Sequence, residues 1–313
     1  MVQSGGLTVA VTGAAGFIGR AVIDRIERGA LGRVAELRLC DVRFFERESA
    51  VTLQGSYAVQ EVRAQLVGDG VDILFHLASL PGGASERDPK LGKSVNLDGT
   101  IALLDTAAAK GGNVGRPVIV YTSSIAALGR SAQPVSDETA LRPSGSYGTH
   151  KAMIEYYLAD LTRRGVVDGR SVRPAGIVAR PRHAFAGFAT AWMSDLFHAA
   201  AEGRDITIPA REEAHIWLQS IDAVADNIVH AALMPANDLP PHRAWTLPAT
   251  VVHVGSLVEA LRLRTGNRFK VEYSDEPTDQ PPLNASGALA LGFVCDGNTQ
   301  ALVEAVISRI VQH

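Results

Sequence analysis

Two cysteines in 313 residues, Cys40 and Cys295, are too few for a disulfide framework and too far apart for a paired metal motif. Blocks of one charge are missing too. Thirty Lys and Arg stand against 33 Asp and Glu, a net charge of −3 with no long basic or acidic run. That excludes the electrostatic footprint of a nucleic-acid or anionic-membrane binder. No apolar stretch reaches the roughly 20 residues that span a bilayer. No cleavage-site pattern precedes the glycine turn at residue 13. The nine histidines lack the paired spacing of metal ligands. The expectation is a cytoplasmic, reduced protein without a metal. Its length suits one large α/β domain with an appended lobe, or two domains.

What the chain does carry begins at Thr12-Gly13-Ala14-Ala15-Gly16-Phe17-Ile18-Gly19, after the apolar run Leu7–Val11 and before a helical pattern through Arg28. Strand, glycine turn and helix N-terminus in that order make a site for a dinucleotide pyrophosphate. Gly13 permits the turn, Gly16 clears the approach of the phosphates, and Gly19 lets the helix pack on the strand. The first helical residues, Phe17 and Ile18, offer backbone N–H groups and the positive end of the helix dipole to an anion. Glu36–Cys40 reads as a second strand ending at Asp41, 22 residues past Gly19. A carboxylate there accepts hydrogen bonds from the adenosine ribose and repels a 2′-phosphate, which favours NAD. Arg43 leaves NADP possible, because its guanidinium can hold that phosphate.

Strand-like runs at Leu37–Cys40, Val51–Gln54, Val71–Ala78 and Val118–Thr122 alternate with helical stretches at Val59–Val67, Lys93–Lys110 and Tyr147–Arg164. The alternation predicts an α/β doubly wound parallel sheet of the Rossmann type. Ser171–Val178 reads as one further strand. Past Arg180, prolines cut the chain into short pieces, with helices expected at Phe188–Glu202, Ala223–Leu233, Ser256–Arg264 and Thr299–Val311. The expected division is a dinucleotide-binding domain over 1–172, with about 216–234 added, and a smaller substrate lobe over most of 173–313.

Tyr147-Gly-Thr-His-Lys151 sets a phenol and an ammonium one helical turn apart. Ser123-Ser124 follows the strand Val118–Thr122, so in a doubly wound sheet both segments end at the same rim. An unperturbed tyrosine titrates near pH 10, and bringing it to neutrality takes roughly 4 kcal/mol of differential stabilisation. A neighbouring ammonium and an oxidised nicotinamide act in that direction. Ser124 is placed to hold the reacting oxygen.

The glycine turn, Asp41, His76-Leu-Ala-Ser79, Asn96-Leu-Asp-Gly-Thr100, Thr122-Ser-Ser124 and Tyr147-x-x-x-Lys151 together resemble the extended short-chain dehydrogenase/reductases of the epimerase/dehydratase type. Ser146-Tyr-Gly-Thr-His-Lys-Ala152, Tyr157-Leu-Ala-Asp-Leu161, Arg163-Arg-Gly-Val-Val-Asp-Gly-Arg170, Ile216-Trp-Leu218 and Ala288-Leu-Ala-Leu-Gly-Phe293 narrow the likeness to the D-erythronate dehydrogenases. The resemblance implies NAD-dependent oxidation of the C2 hydroxyl of a four-carbon sugar acid to its 2-oxo acid. Tyr147 would take the proton, Lys151 would hold the nicotinamide ribose and Ser124 would orient the substrate oxygen. The cofactor site would further include Ser56, Leu77, Ala78, Ser79, Asn96 and Thr122, with Ala175 and Ile177 at the carboxamide. The substrate would meet Ser79, Ser123, Ser124 and Tyr147, with Arg182 and His183 at its carboxylate. A homodimer through helices near 93–110 and 147–164 is implied as well.

Several positions depart from that pattern. Gly55-Ser56-Tyr57 stands where an adenine-binding Asp is expected, leaving a hydroxyl for that role. Pro174-Ala-Gly-Ile-Val178 lacks an expected hydroxyl, and His215 stands in place of an arginine. The loop Arg182–Phe188 is altered in composition; Arg182, His183 and His215 are open to two readings, gathered around a substrate carboxylate or placed on the surface. His76 reads as a packing residue near the cofactor, His150 as a solvated or capping one. Two other functions fit the same motifs: a nucleotide-sugar epimerase or dehydratase that retains its NAD, and a non-catalytic NAD-binding sensor. The intact Ser124, Tyr147 and Lys151 argue against the sensor.

Overall fold

The computed structural model describes residues 6–43, 47–131, 133–182, 190–276 and 278–311. Its first half runs β1 (Leu7–Thr12), α1 (Phe17–Glu27), β2 (Val34–Asp41), β3 (Val51–Gln54), α2 (Gln60–Val67), β4 (Ile73–His76), α3 (Gly82–Arg87), α4 (Pro89–Lys93), α5 (Thr100–Lys110), β5 (Val118–Thr122), α6 (Ser146–Arg163) and β6 (Asp168–Arg173). The remainder runs β7 (Gly176–Val178), α7 (Ala191–Glu202), β8 (Ile206–Ile208), β9 (His215–Ser220), α8 (Ile221–Leu233), β10 (Ala244–Thr246), β11 (Thr250–His253), α9 (Val254–Thr265), β12 (Val271–Tyr273), α10 (Ser286–Ala290) and α11 (Thr299–Val311).

These elements fall into two compact units. The first takes Met1–Gly129, Leu141–Arg173 and Ala225–Trp245, the second Arg130–Ala140, Pro174–Val224 and Thr246–His313. In the first unit, seven strands form one sheet in the order β10-β6-β5-β4-β1-β2-β3. Every pairing from β3 through β6 is parallel. Parallel strands need helical crossovers, and those cover the faces. β4 and β1 are buried almost throughout. One face packs Leu103, Leu104, Ala107, Ile154 and Leu158 from α5 and α6 against Leu74, Ile119 and Tyr121 of the sheet. The strand order reverses between β1 and β4, which is where open α/β sheets leave a ligand crevice.

The second unit has a three-stranded sheet, β11-β9-β7, and a two-stranded one, β12-β8. Its core gathers Leu196 and Phe197 of α7, Leu257 and Leu261 of α9 and Leu302 and Val306 of α11 around Ile216 and Leu218. No helix among the described residues is long and apolar enough to cross a membrane.

Three elements differ from the sequence reading. The single strand expected over Ser171–Val178 is two strands in two different sheets. Pro174 separates them, since it has no N–H for a sheet ladder. The helix expected over Lys93–Lys110 contains a π-helical segment, Ser94–Gly99, between α4 and α5. The helix expected from Phe188 begins at Ala191, and its first two residues lie outside the described ones. The short strands β8, β10, β11 and β12 gave no alternation long enough to read.

Gly19 shows why the first turn of α1 is built as it is. A Cβ there would lie 2.1 Å from the Gly13 carbonyl oxygen and 2.9 Å from the backbone of Ala14. Helix and turn are therefore in backbone contact. Gly19→Ala is expected to lower stability by roughly 1–3 kcal/mol through overpacking and to weaken dinucleotide binding at the displaced turn. Urea unfolding together with NAD titration checks this, and unaltered values for both would show that the contact does not constrain the turn.

Candidate active site

Strand register assembles the site. Thr12 of β1 is the Cα partner of Cys40 on one side and His76 on the other, and His76 is in turn the partner of Tyr121. The next residue on each strand is Asp41, Gly13, Leu77 or Thr122, so the four expected cofactor segments leave the sheet side by side.

Gly13 has a φ of +71°, and a Cβ on it would lie 2.8 Å from the Ala78 amide nitrogen. α1 starts directly afterwards, with Gly16 at its N-cap, no side chain capping it and no acid in its first turn. That end of the helix keeps its positive potential for an anion. Asp41 is almost buried. Its Oδ2 accepts from the Ala15 N–H (3.0 Å) and its Oδ1 from the Arg43 N–H (3.0 Å). The Arg43 guanidinium donates to the Ala15 carbonyl (3.0 Å) and stands 3.8 Å from Asp41. Turn, helix end and carboxylate thus fit a dinucleotide on their own geometry. Ser56 Oγ accepts from the Ala58 N–H (3.2 Å), which closes a local turn and leaves its own proton to donate.

The loop after β4 is fastened from two sides. Thr12 Oγ1 accepts from the Ala78 N–H (3.3 Å) and donates to His76 Nδ1 (2.7 Å). His76 Nε2 then donates to Thr100 Oγ1 (3.0 Å). Thr100 gives its own proton to the Val95 carbonyl (3.4 Å) and so accepts from Nε2, and burial, with Lys151 nearby, pulls the imidazole down to about 3, so it is neutral and its Nδ1 accepts. On the other side, Asn96 accepts from the Leu80 N–H (2.7 Å) and donates to the Leu80 carbonyl (3.0 Å) and Ser85 Oγ (3.1 Å). Asn96, expected to contact cofactor, is buried and has spent its hydrogen bonds on this loop. It acts on the site through Leu80. Ser79 lies half-buried within the loop so held.

Lys151 and Tyr147 sit on α6. Lys151 is 2% exposed, and its Nζ donates to the Thr122 carbonyl (2.6 Å). The same nitrogen lies 4.7 Å from the Tyr121 ring centre and 5.5 Å from that of Tyr147. Tyr147 is half-buried, and a Cβ built on Gly82, at the end of the β4 loop, would lie 3.7 Å from its Cβ and 3.8 Å from its ring. Ser124, also half-buried, has extended backbone, and its Oγ accepts from the Ala126 N–H (3.1 Å). Gly148 lets α6 approach this turn, since a Cβ on it would lie 2.2 Å from the Ala126 carbonyl oxygen. Ser124, Tyr147 and Lys151 are therefore brought together. Thr122 Oγ1 is buried there without a hydrogen-bond partner.

Two readings are corrected. Ser123, expected to meet substrate, is buried and donates its Oγ to Glu155 inside the protein. His150 is buried rather than solvated, 8% exposed and with Nδ1 lacking a partner. Ala175 and Ile177, expected at the carboxamide, and Arg182, expected at the substrate carboxylate, belong to the second unit. Ala175 and Ile177 line a pocket there with Arg180, which the sequence reading passed over. The Arg182 guanidinium pairs with Glu202 and lies 3.8 Å from Asp195. His183 lies outside the described residues. His215 is exposed, 3.5 Å from Asp279. Glu155 also went unread, while Gly148, Thr12 and Thr100 stood within the motifs without a role of their own. Glu155 had a signal, being the third member of a series Tyr147, Lys151, Glu155 at four-residue spacing. Among the described residues no group of three His, Cys, Asp or Glu side chains could hold a metal ion.

A family model described as the NAD dependent epimerase/dehydratase family matches residues 9–245. The chain belongs to that family. Within it, a D-erythronate dehydrogenase from Cupriavidus necator is 32% identical, over 96% of this chain and 97% of the relative. A D-erythronate dehydrogenase from Haemophilus influenzae is 30% identical, over 78% and 79%. Among solved structures, a nucleoside-diphosphate-sugar epimerase from Agrobacterium tumefaciens superposes with a TM-score of 0.87 at 28% identity, covering 98% of this chain and 95% of that one.

Burial pulls the Lys151 ammonium down from its ordinary value of 10.5 to about 7, with Glu155 opposing. Between those values the unfolded chain holds a proton that the folded chain has released. Stability from this group is fully present above 10.5 and is lost as pH falls towards 7. Urea unfolding of the wild type and Lys151→Met should therefore diverge in the wild type's favour as pH rises from 7 to 10. A gap that stays constant would place Lys151 in a solvated setting.

Proposed function

We propose that the protein is an NAD-dependent dehydrogenase that oxidises the C2 hydroxyl of a small sugar acid, a four-carbon aldonate of the D-erythronate type, to the 2-oxo acid. The observation that carries this reading is the union of Ser124, Tyr147 and Lys151 in the unit that bears the glycine turn. The names of its 30–32% identical relatives supply the substrate class. We assign Gly13, Gly16, Phe17, Ile18 and Gly19 to the pyrophosphate, Asp41 to the adenosine ribose, and Ser56 to the adenine. Leu77, Ala78, Ser79 and Thr122 border the rest of the cofactor.

When bound, NAD supplies the acceptor for the hydride that leaves C2. Tyr147 Oη removes the hydroxyl proton as a general base. Lys151, its ammonium close to that ring, favours the phenolate and binds the nicotinamide ribose. Ser124 keeps a hydroxyl proton to donate to the substrate oxygen, which fixes the carbinol against Tyr147. Asp41 selects NAD, and Arg43 beside it admits NADP less well.

The Agrobacterium relative's name favours a second reading, an epimerase that returns the hydride to a nucleotide sugar. Net NADH separates the two. With D-erythronate and NAD the protein is expected to accumulate NADH, whereas an epimerase turns over its sugar without net reduction. Tyr147→Phe should lower kcat by a factor on the order of 10²–10⁴ while NAD affinity stays within a few-fold. Full turnover in that variant would remove the mechanism.

We place the reaction in the cytoplasm, in keeping with two free cysteines. The working form is taken to be a homodimer through the outer faces of α5 and α6. Met153 and Tyr156 on α6 are 47% and 66% exposed and offer large side chains to such a contact. Tyr156→Glu is expected to shift the mass measured by light scattering from two chains to one; an unchanged mass would move the interface elsewhere.

A further inference from the structure

Glu155 stands one turn beyond Lys151 on α6, and both side chains hold the end of β5. Lys151 Nζ takes the Thr122 carbonyl at 2.6 Å. Glu155 Oε1 accepts from Ser123 Oγ, the very next residue. The Glu155 carboxylate is itself clamped by Arg173, the last residue of β6, with Nε at 3.0 and 3.1 Å and Nη2 at 2.6 Å. The Ser123 N–H donates to the Val172 carbonyl (2.7 Å), which ties the same residue to β6 by its backbone. Thr122 and Ser123 are thus fixed by adjacent turns of one helix and by the neighbouring strand. Ser124 follows them, and its Oγ caps its own turn by accepting from the Ala126 N–H.

An ion pair this deep is a poor device for stability. Both side chains are 4% exposed, and desolvation cancels most of what their attraction returns. Arg173 Nη1 is moreover buried without a partner, a loss that an apolar pair would have avoided. What the pair does supply is a rigid, directional anchor for the Ser123 hydroxyl.

We propose that Glu155 is a positioning residue for the reaction: clamped by Arg173 and bonded to Ser123, it sets where Ser124 presents its hydroxyl to a substrate beside Tyr147. This rests on the roles given to Ser124 and Tyr147 above. Ser123 serves as the link, not as a substrate ligand.

Ser123→Ala tests this with the ion pair left intact, so the variant keeps the fold. It is expected to lower kcat about ten- to a hundredfold through misplacement of Ser124, with KM for NAD and Tm close to wild type. Amide hydrogen exchange over Thr122–Ala126 should quicken about tenfold as the local opening energy falls. Glu155→Gln should move both quantities further in the same directions. Exchange needs no substrate, so it decides the matter even if no aldonate is oxidised, a result that would instead sink the dehydrogenase reading. Unchanged exchange in Ser123→Ala overturns the inference, as does wild-type kcat in that variant.

Discussion

Thr12, His76 and Tyr121 are Cα partners on three adjacent strands, and this register governs everything at the sheet's C-terminal edge. Parallel pairing points partnered side chains to the same face. Thr12 Oγ1 therefore meets His76 Nδ1, and the His76 ring stacks on Tyr121 at 5.6 Å. A slip of one residue in any of these strands would turn its own member to the other face and break the link between the glycine turn and the β4 loop. The hydrogen-bond chain from Ala78 through Thr12 and His76 to Thr100 reports that register. It also extends it, because Thr100 begins α5 just past the π-helical segment that carries Asn96. One extra residue per turn rotates Asn96 to grip Leu80 by both its N–H and its carbonyl.

α6 then adds the chemistry. Its residues at positions 147, 151 and 155 share one face. Going along it from the exposed end, a half-buried phenol gives way to a buried ammonium and then to a buried carboxylate bound to arginine. Polarity rises with depth, the reverse of an ordinary helix. Glu155 counters the desolvation that would otherwise strip Lys151 of its proton.

Much of this was readable in the chain. The sheet class followed from alternation, and the glycine turn and the Tyr–Lys pair followed from spacing, because each is a local pattern within one element. Asn96 was found but its role was misread: the family resemblance places it near the cofactor without saying that its amide is consumed by Leu80. Ser123 was misread for a similar reason. Adjacent serines at a strand end point to opposite faces, and only the partner across the fold, Glu155, decides which one turns inward. The break at Pro174 was legible as a proline and was outweighed by the apolar residues after it. The short strands β8 to β12, three to six residues each, are specified by pairing between distant segments, which leaves no periodicity to read.

The buried charges bear on a wider point. Lys151, Glu155, Arg173, Asp168 and Arg170 all lie within the first unit at 5% exposure or less. Arg170 and Arg243 neutralise Asp168 at the far end of β6, away from the motif residues. Arg170 also ties β6 to the returning segment through the Ala231 carbonyl. Two ionic clamps therefore bracket one six-residue strand, one at each end. Apolar side chains would hold β6 in the core as well, but they would not fix its translation along β5, since dispersion contacts are short-ranged and non-directional. Charged hydrogen bonds do fix it. The placement of the segment Thr122–Ser124 against α6 depends on that translation, which is why the polar groups lie in the core and not at the surface.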